Sequence, residues 1–131
     1  MSIESLVLDS QGFSSWIDRD RKVMRLLEQA ERDGVDLAMS AATIVEVSYG
    51  GVDIARLGWL LSRMRVEPVT KETVHRSASL LREAGLHGHK YAIDAMVAEV
   101  ALRLPGPVVV LTSDGDDMVK LCGQRVRIIG L

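Results

Sequence analysis

Four acidic residues stand where a carboxylate has an uncommon job: Asp9, Glu46, Asp94 and Asp114. Asp9 directly follows the apolar run Leu6-Val7-Leu8, and Asp114 follows Val108-Val109-Val110-Leu111-Thr112-Ser113. Both runs read as buried strands, so both acids fall at strand carboxyl ends, where open α/β sheets hold their ligands. Asp94 lies in a helical pattern between Ile93 and Met96, with Val97 and Ala101 at i+3 and i+7. An ionised carboxylate on or beside an apolar stripe is costly unless it is paired or bound to metal. Glu46 interrupts Ile44-Val45-Glu46-Val47, and its helical neighbours Ala42, Thr43, Tyr49 and Gly50 are mostly small. That surface leaves room for a group to approach the carboxylate.

Each acid taken alone has a plain explanation. Asp9 and Asp114 suit helix N-caps. Lys90 stands four residues before Asp94, the spacing of a helical ion pair. Glu46 can face solvent. Taken together, two acids at strand ends and two on early helical turns can converge on one mouth of a sheet. Such a cluster repels itself, and it persists where a divalent cation neutralises it. Oxygen ligands with no His/Cys set at ligand spacing point to Mg²⁺ or Mn²⁺ rather than zinc. His87 and His89, two apart in a Gly-flanked stretch, read as polar loop residues.

The elements that must position these acids alternate along the chain. Strands are expected at 5–8, 35–39, 66–69, 108–111 and 126–129, the third at a sheet edge because Pro68 interrupts it. Helices are expected at 12–17, 21–32, 41–49, 53–64, 70–84, 91–104 and 116–121 from their apolar spacing. Ser40 and Asp53 read as N-caps, and Gly34 as a helix stop. Strands separated by helices, with Val108–Leu111 apolar throughout, predict an α/β sandwich on a mainly parallel sheet.

The 131 residues contain no repeat or long linker, so residues 1–131 read as one domain. Apolar residues make up 47% and charged residues 26%, which excludes a disordered chain. The lone cysteine, Cys122, allows no internal disulfide and reads as a small apolar residue on the last helix. No apolar run approaches the roughly 20 residues that span a membrane, and Leu6-Val7-Leu8 is too short for a signal peptide. The expected location is the cytoplasm. A net charge of −2 argues mildly against a nucleic-acid binder. Yet Arg19, Arg21, Lys22 and Arg25 cluster, and Arg63 and Arg65 flank Met64. Solvated helix faces explain these groups as well as a binding patch does.

The acidic segments resemble the motifs of PIN-domain nucleases. These are Leu8-Asp9-Ser10, Glu46 before Tyr49-Gly50, Ala92-Ile93-Asp94-Ala95, and Leu111-Thr112-Ser113-Asp114-Gly115-Asp116-Asp117. Their order and local structure match from residue 5 to the end, and the length is similar to that of VapC-type toxins of toxin–antitoxin pairs. The resemblance implies a PIN-like three-layer sandwich and an endoribonuclease that needs Mg²⁺ or Mn²⁺. It also implies a homodimer, a small inhibitory antitoxin protein, and tRNA or ribosomal RNA as substrate. By motif match Asp9, Glu46, Asp94 and Asp114 form the acidic quartet, with Asp9 and Asp94 as principal metal ligands. Asp116 matches a further acid of the last motif, and Asp117 stands where many relatives have an aromatic residue. Ser10 and Thr112 are candidates to hold a water or phosphate oxygen, or to act as caps. Trp16, Met24, Trp59 and Met64 have the mix of side chains enriched at interfaces. They are expected either to complete the core or to line a groove for the antitoxin.

Other readings fit less well. A response-regulator receiver needs a phosphoacceptor at a central strand end, and Asp53 opens a helix instead. A haloacid-dehalogenase-like phosphatase needs acids at 9 and 11, and residue 11 is Gln. Ser10-Gln11-Gly12 is not a dinucleotide-binding turn. A PIN-like domain that binds RNA or protein without cutting is the alternative from another class, and all four acids argue against it.

Overall fold

The computed structural model describes residues 2–131. Five strands form one sheet: β1 (Ser5–Leu8), β2 (Asp36–Ser40), β3 (Arg65–Glu67), β4 (Val108–Thr112) and β5 (Arg127–Gly130). Their order is β3-β2-β1-β4-β5, and every pairing is parallel. The expected mainly parallel sheet is therefore wholly parallel. Seven helices connect the strands: α1 (Ser10–Ile17), α2 (Arg21–Arg32), α3 (Ala41–Val47), α4 (Ile54–Leu61), α5 (Lys71–Ala84), α6 (Gly88–Arg103) and α7 (Gly115–Cys122).

Strand side chains alternate between two faces, so each strand feeds two cores. Leu6, Leu8, Leu37, Met39, Val109 and Leu111 join Phe13, Trp16, Val23 and Leu27 on one face. Val7, Ala38, Val108 and Val110 join Ala98, Ala101, Met118 and Leu121 on the other. Helices thus cover both faces of β1 and β4, which accounts for strands that are apolar at nearly every position.

Local chemistry sets the boundaries, and several differ from the expected ones. β3 ends at Glu67, before Pro68, because proline has no N–H to donate to a ladder. It lies at the sheet edge, as expected. α3 stops at Val47 rather than Tyr49. Ser48 turns to an extended conformation and its hydroxyl donates back to the Ile44 carbonyl at 2.6 Å. α6 begins at Gly88, three residues early, and kinks at Tyr91. His89 therefore belongs to its first turn, and the His87 imidazole accepts from the His89 amide at 3.4 Å. Ser40 and Asp53 act as the expected N-caps, accepting from the amides of Ala42 and Arg56. Gly34, at φ 75°, ends α2 in the left-handed region that glycine enters without steric cost.

Two large side chains settle differently from one another. Trp16 is buried and meets Phe13 edge-on at 6.3 Å between ring centroids. Trp59 stays 54% exposed, with the Arg63 guanidinium 4.7 Å above its ring. Met24 and Met64 pack against the first core. Trp16 therefore leaves the expected interface set, and Trp59 stays in it.

Candidate functional site

The carboxyl ends of β1 and β4 are adjacent, since Leu8 pairs with Leu111. Asp9 comes next and is 3% exposed. Its Oδ1 accepts from the Gly12 amide at 2.8 Å, so it does cap α1. Its Oδ2 accepts from the Thr112 hydroxyl at 2.6 Å and the Ser113 amide at 3.1 Å. A carboxylate offers about four acceptor positions, so three donors fix the group and leave one direction open. Cap and site are here one residue.

Thr112 is fully buried and joins two of the acids. It donates to Asp9, and its oxygen accepts from the Asp114 amide at 2.9 Å. That network makes it a positioning group rather than a contact for substrate. Gly12 allows the close approach on which this depends. A Cβ there would sit 3.2 Å from the Leu111 carbonyl oxygen and 3.5 Å from Asp9 Oδ1.

Asp94 projects from the start of α6. Its carboxyl is pushed up to about 6, first by burial, then by the charges of Asp114, Glu46, Asp9 and Asp117. The other three acids singled out in the sequence therefore each lie within Coulombic reach of Asp94. α3 brings Glu46 there by packing between α1 and α6. The Lys90 ion pair does not form. Lys90 instead lies over the Tyr91 ring at 5.2 Å. Asp114 occupies the N-cap position of α7 but makes no side-chain cap bond, so its carboxylate is uncommitted.

In the last motif, Asp117 is among the charges acting on Asp94. Asp116 is exposed in a shallow groove with Ser113, Asp114, Asp117 and Lys120. Thr43, a helical turn before Glu46 and read in the sequence only as a small neighbour, has a buried hydroxyl without a hydrogen-bond partner.

The donor set suits a hard divalent cation: all oxygen, all acidic and unpaired with Lys or Arg, with burial and mutual repulsion raising the Asp94 carboxyl. The carboxylates do not converge on one point. Among the described residues, no three His, Cys, Asp or Glu groups are close enough to enclose an ion.

A family model for the PIN domain matches residues 6–123. The chain belongs to the PIN-domain family. Members of this family are generally nucleases and typically use divalent metals. Solved structures agree on the fold. A chain of VapBC2 from Rickettsia felis, bound to a promoter DNA fragment, superposes with a TM-score of 0.73 at 15% identity, covering 97% of this chain and 98% of that one. A chain of a toxin–antitoxin complex from Klebsiella pneumoniae gives 0.68 at 18%, covering 92% and 94%. One from FitAcB of Neisseria gonorrhoeae gives 0.65 at 19%, covering 95% and 96%. No curated protein matches the sequence. Among the described residues, no helix is long and apolar enough to cross a membrane.

Proposed function

We propose that this PIN domain, a single unit over residues 1–131, is a divalent-metal-dependent endoribonuclease and the toxin of a toxin–antitoxin pair. The observation that carries the reading is Asp94, half-buried and driven to about 6 by burial and four neighbouring acids with no cation among them. Structural carboxylates are normally paired; a repelling group in a cleft marks a functional site.

Asp9 and Asp94 would hold the cation, with Glu46, Asp114, Asp116 and Asp117 completing the negative field. Mg²⁺ or Mn²⁺ supplies Lewis acidity toward the phosphodiester and lowers the pKa of a water. Glu46 and Asp114, both exposed at the rim, orient the attacking water and take its proton. Water adds to phosphorus, the P–O3′ bond breaks, and the departing 3′ oxygen takes up a proton from solvent, leaving a 5′-phosphate and a 3′-hydroxyl. Thr112 and the Ser113 amide keep Asp9 aimed throughout.

The structural relatives belong to toxin–antitoxin assemblies, which supports a protein inhibitor for this chain; the accompanying reading is a homodimeric toxin in the cytoplasm. The antitoxin surface belongs on α3, α4 and the segment between them, where Val45, Tyr49, Ile54 and Trp59 are exposed. The apolar face of α2, by contrast, is spent on the core.

The test is incubation of the purified protein with tRNA and ribosomal RNA, with Mg²⁺ or with excess EDTA. The expected result is cleavage to 5′-phosphate ends that EDTA abolishes. Undiminished cleavage in EDTA would sink the site assignment. Binding without cleavage under all metal conditions would favour a non-cleaving RNA-binding domain.

A further inference from the structure

The outer face of α2 carries basic residues that the nuclease site does not use. Arg21, Lys22 and Arg25 are exposed, opposite Val23, Leu27 and Ala30, which enter the core. Lys22 lies three residues before Arg25 and seven before Gln29, a stripe about 10 Å long at helical rise. Arg21, Lys22, Arg25, Leu26 and Gln29 line one open groove. Lys22 also lines a second groove with Gln11, Ser15, Asp20, Ser113 and Leu131. Ser113 is the residue whose amide holds Asp9. The two grooves, sharing Lys22, run from the acidic mouth past the first turns of α1 to the basic face of α2.

Those cations are uncommitted. Among the described residues, none of Arg21, Lys22 and Arg25 takes part in an ion pair. Other arginines are occupied, among them Arg63 with Glu31, Arg65 with Glu67, Arg76 and Arg103 with Glu99, and Arg56 on the carbonyls of Trp16 and Ile17. The adjacent acid, Asp20, uses Oδ1 to cap α2 through the Val23 amide. An acidic mouth repels a polyanion, so a nuclease needs positive charge beside it to draw the strand in.

We propose that the path from Ser113 through Lys22 to Arg25 carries the phosphate backbone of single-stranded RNA into the acidic mouth. The proposal rests on the ribonuclease reading and adds to it the side from which the strand enters. Flexible cations contact phosphates and fix the strand's position without reading its bases. Binding along this face is therefore indifferent to sequence and sensitive to salt.

The test compares Lys22→Glu/Arg25→Glu with Lys71→Glu/Arg82→Glu. The second pair makes the same charge change at exposed positions of α5. All proteins carry Asp94→Asn so that RNA stays whole. The readout is fluorescence anisotropy of a mixed-sequence single-stranded RNA of about 20 nucleotides, titrated across KCl concentrations. The α2 pair should raise Kd at least about tenfold and reduce the slope of log Kd against log salt by about 1.4, or 0.7 per lost contact. The α5 pair should change Kd less than about twofold. If the α2 double variant melts early, Lys22→Gln/Arg25→Gln should show the same trend at smaller size. Equal effects from both pairs, or none from α2, overturn the path while cleavage by the unsubstituted chain still supports the ribonuclease. Loss of antitoxin binding with RNA affinity intact also overturns it. An unsubstituted chain that neither binds nor cuts RNA removes both readings.

Discussion

Helix α6 carries two carboxylates five residues apart that meet opposite surroundings. Asp94, near its start, faces four acids, and its carboxyl is pushed up to about 6. Glu99 is 3% exposed and bonds to Arg76 at 3.1 Å and to Arg103 at 2.8 Å. Arg103 reaches on to Glu67 at 2.6 Å. Burial alone would push the Glu67 carboxyl up, but hydrogen bonds and charge from Arg103 and Arg65 outweigh it and hold it below the ordinary range. One end of the helix thus neutralises its acids with arginine. The other leaves them in conflict, which costs stability unless a cation arrives. The paired end ties α5, α6 and β3 together; the unpaired end is available for chemistry.

The largest effect expected from breaking this contrast is at the paired end. Glu99→Gln removes the partner of two arginines and should destabilise the fold by about 3 kcal/mol, the low end for a broken buried pair because both arginines stay partly hydrated. Urea unfolding measures it. A loss below about 0.5 kcal/mol would show that the network is dispensable.

A second difference should appear in pH dependence without metal. The folded-state carboxyl of Asp94 lies at about 6, above its ordinary 3.8. Between those values the folded protein binds more protons than the unfolded chain, so the Asp94 contribution falls as pH rises from about 4 to 6. Solvent screening reduces this to about 1–2 kcal/mol. Comparing stability against pH for wild type and Asp94→Asn isolates the term, since the variant should lack it. In metal-free buffer at pH 7, Asp94→Asn should be as stable as wild type or more so. Clear destabilisation there would mean that Asp94 has a structural partner after all.

The smallest effect on the fold is expected at Trp59. With its ring 54% exposed, Trp59→Glu should alter stability by no more than about 0.5 kcal/mol and leave RNA cleavage unchanged, yet weaken copurification with the antitoxin. An unaltered complex would remove α4 from the partner surface. The core residue Trp16 should respond oppositely, with about 3 kcal/mol lost on Trp16→Ala.

The acids were readable in the sequence because they interrupt patterns. Asp9 and Asp114 end apolar runs, and Asp94 breaks a stripe. What depends on distant neighbours was not. The donors to Asp9 Oδ2 come from residues more than 100 positions away, joined only by strand pairing. The Glu99 network was hidden for another reason. The buried run Val97–Ala101 surrounds the helix, so α6 lacks a broad solvent face to give Glu99 contrast. Trp16 did carry a signal: with Phe13 and Ile17 it sits at core spacing on α1.

The central claim is that the acidic mouth binds a divalent cation through Asp94 while the arginine-paired end of α6 takes no part. Calorimetric titration of the metal-free protein with Mn²⁺ tests this most directly. Wild type should show saturable binding, Asp94→Asn should weaken it at least about tenfold, and Arg76→Gln at the paired end should leave it unchanged. Equal affinity in wild type and Asp94→Asn would contradict the account.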